Sequence, residues 1–289
     1  MKYEQFRIRA GKKLNLEKHP TDSTGDYTDK AAAKIDLARN VERLAELQEV
    51  LYAQNKYALL IVLQAMDAAG KDGLINHVMS GINPQGVQVV SFKQPSSEEL
   101  EHDFLWRISK NLPERGKIGV FNRSHYEDVL VVRVHPEIIQ SQSMPDEVKN
   151  DKNFWKKRFE QIRNFEKHLV ENGTHVLKFF LHLSKDEQKK QFLERLNEPE
   201  KNWKFVDSDL TERGFWDDYM RAYEEAIAAT STDDAPWYVL PADKKWFTRT
   251  AASEIIREKM ESMDLQYPKV SDEQIKRLRE AKKILESEN

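Results

Sequence analysis

The feature that most constrains the fold is an apolar run that opens directly into a turn of small residues carrying one lysine. The run Ala58–Gln64 reads Ala-Leu-Leu-Ile-Val-Leu-Gln, and Ala65–Gly73 continue as Ala-Met-Asp-Ala-Ala-Gly-Lys-Asp-Gly. The run has the length of a buried strand. A turn that enters a helix directs backbone N–H groups at one point, and Lys71 adds a full positive charge there. The sequence therefore predicts a strand, a phosphate-binding loop and a helix in succession.

This turn departs at two positions from the usual phosphate-loop pattern G-x-x-x-x-G-K-[ST]. Ala65 stands where the first glycine belongs, and Asp72 stands where a hydroxyl would hold magnesium. Asp67 lies inside the loop, where its charge would repel phosphate oxygens. A magnesium ion would resolve that conflict, because carboxylate and phosphate oxygens are its usual ligands. The alternative is a turn that only caps a helix, with Asp67 as the capping residue.

Length and composition exclude several classes of protein. The 289 residues are 39% apolar, which is enough for the core of one large α/β domain. The absence of cysteine excludes disulfides, thiolate metal sites and cysteine nucleophiles. The start, Met1–Arg9, has no apolar signal region, and the six-residue run Ala58–Leu63 is far shorter than the roughly 20 residues that span a bilayer. A cytoplasmic protein without a membrane partner is expected.

Charge is distributed unevenly along the chain. The net charge of −3 gives the whole molecule no general attraction for polyanions, so no nucleic-acid partner is expected. Cations are nevertheless concentrated in two stretches, 149–167 and 185–204. A phosphate-rich substrate would have to be gathered by such local clusters. The alternative is that they are ordinary solvated helix surfaces, since acidic residues are interleaved with them.

Strand-like and helix-like segments alternate along the chain. Strands are predicted near 58–64, 87–92, 117–121, 175–183 and 237–240, and helical regions near 28–52, 71–82, 97–111, 124–172 and 184–230. Ser96 and Glu99 have the spacing of a capping box. This alternation predicts an α/β fold with a doubly wound parallel sheet. Without repeats or linkers, residues 1–289 are expected to form a single domain with a polar arm at 1–30 and a helical tail at 266–289 that packs on it.

Ligands of open parallel sheets collect at the carboxyl ends of the strands, which makes the residues after each strand informative. After the strand near 117–121 come Asn122, Arg123, Ser124, Glu127 and Asp128. An acid here could hold a metal or water, or act as a base for an attacking oxygen. Alternatively, Ser124 and Glu127 form a capping box.

Three further cations are candidates for phosphate contacts. Arg123 and Arg133 could bind phosphate through two parallel hydrogen bonds, which lysine cannot copy. Lys93 follows the strand near 87–92, although an exposed loop lysine explains it equally well. The histidines show no spacing typical of a metal site and are interpreted as structural or surface residues.

These motifs together resemble the family-2 polyphosphate kinases over about 26–260. The resemblance is carried by Met66–Gly73, Phe92–Ser96, Phe121–His135 and Gln191–Phe205. It implies a thymidylate-kinase-like, three-layer α/β/α P-loop fold with a helical lid at 184–230. It also implies phosphoryl transfer between inorganic polyphosphate and a nucleotide, with Mg²⁺, or Mn²⁺ in its place, as the cofactor.

The resemblance assigns roles to residues of this chain. Asp67 would bind the metal and, with Lys71, Arg123 and Glu127, form the catalytic set. Nucleotide contacts would come from Asn122, Glu127 and Asp128. Phosphate or polyphosphate would contact Ala68, Ala69, Gly70, Lys71, Asp72, Gly73, Lys93, Arg123 and Arg133, and the lid residues Lys189, Lys190 and Arg195.

One departure from the family pattern bears on the substrate. Many relatives carry aspartate where this chain has Asn122, and the Asn-Arg-Ser variant resembles a subgroup that phosphorylates both nucleoside mono- and diphosphates. Glu127 or Asp128 is expected to replace part of the missing charge. The expected function is transfer from polyphosphate to AMP or ADP, and in addition to guanine nucleotides, by a homodimer or homotetramer. The alternatives are an ATP-dependent nucleoside or nucleotide kinase and a non-catalytic nucleotide-binding regulator.

Overall fold

A computed structural model describes residues 3–288 of the chain. Its six strands are β1 Arg7–Ile8, β2 Ala58–Gln64, β3 Val87–Ser91, β4 Ile118–Asn122, β5 Thr174–His182 and β6 Trp237–Pro241. The helices are α1 Lys30–Gln54, α2 Lys71–Val78, α3 Ser97–Leu100, α4 Trp106–Ser109, α5 Val131–Val134, α6 Glu137–Ser141, α7 Asp146–Lys149, α8 Phe154–Glu171, α9 Lys185–Asn197, α10 Ser208–Gly214, α11 Trp216–Thr230, α12 Lys245–Glu261 and α13 Asp272–Ser287. No described helix has the length and apolar content needed to cross a bilayer.

The strands form one sheet in the order β1-β6-β5-β2-β4-β3. Every neighbouring pair is parallel except β1 and β6, which run antiparallel. All seven residues of β2 are buried, as in a strand covered on both faces. One apolar cluster contains α1, α2 and α12, and another contains α8 and α11, so helices lie on both sides of the sheet. The predicted three-layer α/β architecture is confirmed.

Within 3–29 the chain is largely irregular, in keeping with the arm or loop predicted for 1–30, but several of its apolar residues pack against the sheet instead of remaining polar surface. Tyr3, Phe6 and Leu16 are buried in the two apolar clusters. Ile8 pairs with Trp237 at the edge of β6. The apolar residues of this segment are too widely spaced to give a periodic pattern, which is why its packing could not be predicted.

Two predicted helical regions are interrupted. The region 97–111 contains only α3 and α4, although the capping box of Ser96 and Glu99 forms as predicted. The region 124–172 is divided into a short 3-10 helix and α5 to α8. Pro136 and Pro145 lie at the N-caps of α6 and α7, because proline cannot donate within a continuing helix.

The C-terminal helix α13 begins at the capping box of Ser271 and Gln274. Its apolar residues do not pack on the domain, which corrects the prediction for the tail. Leu278, Ile284 and Leu285 each expose more than 60% of their surface. No residue of α13 is buried.

Candidate functional site

A pocket of about 1170 Å³ lies at the carboxyl ends of β2, β3 and β4. The strand ends meet there because the three strands are parallel neighbours. Helices α9 and α12 contribute the opposite wall. Of the predicted site residues, the wall includes Asp67, Ala68, Gly70, Lys71, Asp72, Gly73, Lys93, Asn122, Arg123, Glu127, Asp128 and Arg195. Ala69 belongs to the same loop but is itself buried.

The loop after β2 is a tight turn that ends on the N-cap of α2. Gly70 is that N-cap, with a φ of 97°, a backbone conformation that glycine adopts without strain. No side chain caps α2, so the alternative in which Asp67 serves as the cap is wrong. The free N–H groups of α2 therefore point into the pocket, as an anion site requires.

The Lys71 side chain folds back over the loop. Its Nζ donates to the carbonyl oxygens of Ala65 at 3.0 Å and Met66 at 3.4 Å. Burial lowers the pKa of the Lys71 ammonium, and the nearby Arg123 charge lowers it further, although Asp67 and Glu127 oppose the shift. A phosphate oxygen at the loop would restore the solvation that this ammonium has lost.

Arg123 joins the loops after β2 and β4. Its Nη2 donates to Asp67 Oδ1 at 2.7 Å, and its Nη1 donates to Glu127 Oε2 at 3.4 Å. Burial alone would lower the pKa of the guanidinium, but Glu127 and Asp67 raise it overall. The backbone of Arg123 has a φ of 65°, which is uncommon for a residue other than glycine and typical of strained functional positions.

The predicted capping box of Ser124 and Glu127 does not form. Ser124 accepts a hydrogen bond from the backbone N–H of Tyr126 instead. The Glu127 carboxylate instead accepts from Arg123 and lines the pocket. Glu127 is thus available for substrate chemistry.

Asn122 and Asp72 form a second link across the pocket floor. Asn122 Nδ2 donates to Asp72 Oδ1 at 2.6 Å. An amide at position 122 suits this contact, whereas an aspartate there would face Asp72 with like charge. Asn122, the residue that departs from the family pattern, therefore forms a hydrogen bond with Asp72 where an aspartate would be repelled.

Asp128 follows Glu127 in the 3-10 turn after β4. Burial raises the pKa of its carboxyl group to about 6, against the opposing charges of Arg158 and Arg107. Arg107 donates to the carbonyl oxygen of Lys93 at 2.9 Å and so holds the loop after β3 at the pocket rim.

The predicted lid touches the phosphate loop through a residue that sequence reasoning missed. Gln188 on α9 is buried, and its Nε2 donates to the backbone oxygen of Asp67 at 3.0 Å. Its Oε1 accepts from Arg213 Nη1 at 2.9 Å. Arg195, Lys201 and Lys204 line the pocket from the same region.

Three predicted phosphate ligands do not line the pocket. Arg133 pairs with Glu225 at 2.9 Å and lies over the Trp155 ring. Lys190 pairs with Glu187 at 2.7 Å on the exposed face of α9. Lys189, next to it, is likewise exposed. Acidic neighbours and the direction of each helix hold these side chains outside the pocket. Counting cations along the sequence does not reveal either effect.

Helix α12 supplies two cations that the sequence analysis did not single out. Lys245 and Arg249 line the pocket beside the phosphate loop. A Cβ placed on Gly70 would lie 3.7 Å from the Lys245 side chain, and one on Gly73 would lie 3.0 Å from Arg249 Nη2. Lys245 follows β6 closely, so it could have been predicted from the rule that ligands of parallel sheets bind at the carboxyl ends of the strands.

The pocket residues include a carboxylate that could hold a magnesium ion. No group of three or more histidine, cysteine or acidic residues arranged to hold a metal occurs within 3–288. Asp67 nevertheless presents a carboxylate beside Lys71 in the pocket wall. Mg²⁺ is usually held by one or two carboxylates together with substrate phosphates, so a full protein cage is not required.

A buried polar network supports the turn that carries Glu127. Tyr126 donates to Glu166 Oε1 at 2.7 Å, and Lys178 on β5 donates to Tyr126 Oη at 3.1 Å and to the backbone oxygen of Thr230 at 2.8 Å. Lys178 also forms an ion pair with Glu166. These side chains are almost fully buried, so the turn is anchored to the sheet through charged groups.

The chain has clear relatives among known proteins. The profile described as polyphosphate kinase 2 matches residues 27–268. An ADP-polyphosphate phosphotransferase of Rhodopseudomonas palustris is 56% identical over 278 residues, covering 96% of each chain. An AMP/ADP-polyphosphate phosphotransferase of Meiothermus ruber is 47% identical over 266 residues, covering 92% of this chain and 95% of the relative. The crystal structure of polyphosphate kinase 2 from Arthrobacter aurescens superimposes with a TM-score of 0.89 at 42% identity, covering 99% and 97% of the two chains.

Proposed function

The chain belongs to the polyphosphate kinase 2 family, and from this premise we infer that it is a polyphosphate-dependent nucleotide phosphotransferase. The resemblance found in the sequence is thereby confirmed. We propose that it transfers phosphoryl groups reversibly between inorganic polyphosphate and AMP or ADP, with guanine nucleotides as further acceptors. The observation that carries this proposal is the convergence of Lys71 and Arg123 with cations of α9 and α12 on one pocket.

The arrangement supports in-line transfer with little covalent participation by the protein. Phosphoryl transfer requires that the acceptor oxygen, the phosphorus and the leaving oxygen be aligned and that the equatorial charge be neutralised. Lys71 and the N-terminus of α2 would hold the transferring group, and Arg123 would contact it after exchanging one of its carboxylate partners. Asp67 would hold Mg²⁺, or Mn²⁺ in its place, and the ion would neutralise charge on the phosphate oxygens. Glu127 would orient the acceptor.

The first test supplies polyphosphate as the sole phosphate donor. Incubation with ADP is expected to form ATP, and incubation with AMP is expected to form ADP, because the pocket cations can bind a polyanionic donor. Chelation of the metal by EDTA should stop both reactions, and added Mg²⁺ should restore them. Product formation with ATP but not with polyphosphate would instead favour the ATP-dependent nucleotide kinase.

The Glu127→Gln variant tests the acidic group near Arg123. The amide keeps the shape of the side chain but removes the charge, so turnover on AMP is expected to fall about 100-fold or more, the usual range for loss of an acid–base group. Steady-state rates with AMP and with ADP should be measured separately. Unchanged rates on both acceptors would contradict a role for Glu127 in transfer.

The Lys245→Met and Lys190→Met variants distinguish pocket cations from surface cations. Lys245 lies beside the phosphate loop, whereas Lys190 pairs with Glu187 outside the pocket. Lys245→Met is expected to raise the KM for polyphosphate several-fold and to reduce its dependence on salt, since fewer counterions are then exchanged. Lys190→Met should change neither quantity. Equal effects of the two variants would contradict this placement of the polyphosphate groove.

We further propose that residues 1–289 act as one catalytic domain in which 184–230 close over the substrates as a lid. The contact from Gln188 to the phosphate loop supports such coupling. A homo-oligomer, dimer or tetramer, is proposed because α13 exposes Leu278, Ile284 and Leu285 together. Light scattering of the full chain at several concentrations measures the oligomeric state.

A further inference from the structure

Gln188 on α9 is a buried amide that forms hydrogen bonds through both of its ends. It is 1% exposed, and the buried residues of this largely polar helix are Gln188 and Phe192. Its Nε2 donates to the backbone oxygen of Asp67 at 3.0 Å, and its Oε1 accepts from Arg213 Nη1 at 2.9 Å. A buried amide with both its donor and its acceptor engaged has one defined orientation. Gln188 therefore joins the phosphate loop to α10 through two successive hydrogen bonds.

Helix α10 is itself held from two sides. Arg213 Nη1 also donates to the backbone oxygen of Lys185 at 2.7 Å, at the start of α9. The preceding residue, Glu212, accepts from the Tyr219 hydroxyl and lies 3.0 Å from His135 Nε2. These contacts connect α10 to α11 and to the end of α5. The glutamine amide is therefore attached to a framework of helices and has a fixed support at its Arg213 end.

The other end of Gln188 acts on one peptide unit, which joins Asp67 to Ala68. This peptide is trans, so its C=O and its N–H point in opposite directions. Because the Asp67 oxygen is held toward α9, the Ala68 N–H is turned away from that helix. Ala68 lines the pocket, and among residues 3–288 its N–H has no hydrogen-bond partner. Ala68 also has a φ of 66°, a conformation that needs support from the surrounding structure.

We propose that Gln188 is a positioning residue that orients the peptide between Asp67 and Ala68 for phosphate binding. A free N–H in a loop that enters a helix is a donor for an anion. The same main chain carries the Asp67 carboxylate, which accepts from Arg123 at 2.7 Å, so its orientation also limits where that carboxylate lies. Since the support comes from α9, the geometry of the phosphate loop depends on the placement of this helix. This inference rests on the proposed function and adds to it the residue that couples the lid to the loop.

The first variant, Gln188→Met, keeps the length of the side chain and removes both hydrogen bonds. Calorimetric titration with tripolyphosphate is expected to show binding weakened about 10-fold, the lower end for loss of a hydrogen bond to a charged group. The kcat for transfer from polyphosphate to ADP should fall by a similar factor at temperatures well below unfolding. A purely structural role would lower the unfolding temperature and leave affinity and kcat unchanged. That result would overturn the proposal.

A second variant, Gln188→Glu, tests the donor to the loop alone and decides the question if Gln188→Met does not fold. The carboxylate still accepts from Arg213, now as an ion pair, but it offers no proton to the Asp67 oxygen. Tripolyphosphate affinity should fall at least as far as in Gln188→Met, and wild-type affinity would overturn the proposal.

The matched control makes the same exchange at an exposed glutamine. Gln140 lies on α6, and its side chain forms no hydrogen bond in the described part of the chain, so Gln140→Met should change neither affinity nor kcat. Turnover of the wild type with polyphosphate is measured in parallel. A wild type that binds tripolyphosphate but transfers no phosphate would refute the proposed function, while the binding data still decide the role of Gln188.

Discussion

Replacing Lys71 with alanine is expected to lower kcat/KM for phosphoryl transfer by about 100-fold or more, the range found when a charge-stabilising donor is removed from an active site. The ammonium is already held by the loop carbonyls of Ala65 and Met66, so in the proposed role it would meet the transferring group without reorganisation. Burial lowers the Lys71 pKa. Without bound substrate, the ammonium therefore loses its charge at a lower pH than an exposed lysine does.

The Lys71→Ala experiment requires a control for the loop itself. Thermal unfolding should show that the variant remains folded, because Lys71→Ala removes two hydrogen bonds but no apolar side chain of the core. Lys93→Ala is the matched variant, since Lys93 also lines the pocket but lies at its rim after β3. Its effect should be much smaller. Comparable losses of kcat/KM in the two variants would show that the rate depends only on the total positive charge of the pocket.

The largest effect on stability is expected at the buried pair of Lys178 and Glu166. Lys178→Met leaves the Glu166 carboxylate buried without its cation, and removing one member of such a pair costs about 3–5 kcal/mol. Denaturant unfolding of the variant measures this loss. Replacing both residues in Lys178→Met/Glu166→Gln should recover part of the stability, because no unpaired charge then remains. A single variant as stable as the wild type would contradict the role of the pair.

The Lys178–Glu166 pair contributes both to the stability of the fold and to the position of residues in the candidate site. Tyr126 donates to Glu166 and lies next to Glu127 in the turn that faces the pocket. Disturbing the pair is therefore expected to displace Glu127 as well as to lower the free energy of unfolding. Turnover measured well below the unfolding temperature separates the two consequences.

Continuous local patterns made the central elements predictable. The bounds of β2 agree with the prediction at both ends, since seven buried residues meet a glycine-containing turn without interruption. Arg123, Glu127 and Asp128 were located because they follow a strand whose carboxyl end must face the same edge. The breaks between α3 and α8 were not predicted, because helical composition continues through segments that proline and tertiary packing divide.

For the rest of the site, the sequence does not show in which direction each side chain points, and this limits what can be predicted. Lys189 and Lys190 belong to the same cation-rich helix as Arg195, and only three-dimensional placement shows that Arg195 faces the pocket. Arg158 lies in another cation-rich stretch and carries no motif, so its burial over Phe104 could not be inferred. Lys245 could have been found, because it follows the last parallel strand.

The pairing of β1 with β6 has a consequence for aggregation of the folded protein. Exposed sheet edges are templates for pairing with other chains. On one side β1 covers the start of β6, and Pro241 removes a donor at the end of that strand. The opposite edge is β3, where Val89 is 47% exposed and where no further strand of residues 3–288 pairs. Because the edge strand β1 has only two residues, β3 is the longer free edge among the described strands, and a charged residue on β3 is the place to oppose edge-to-edge association.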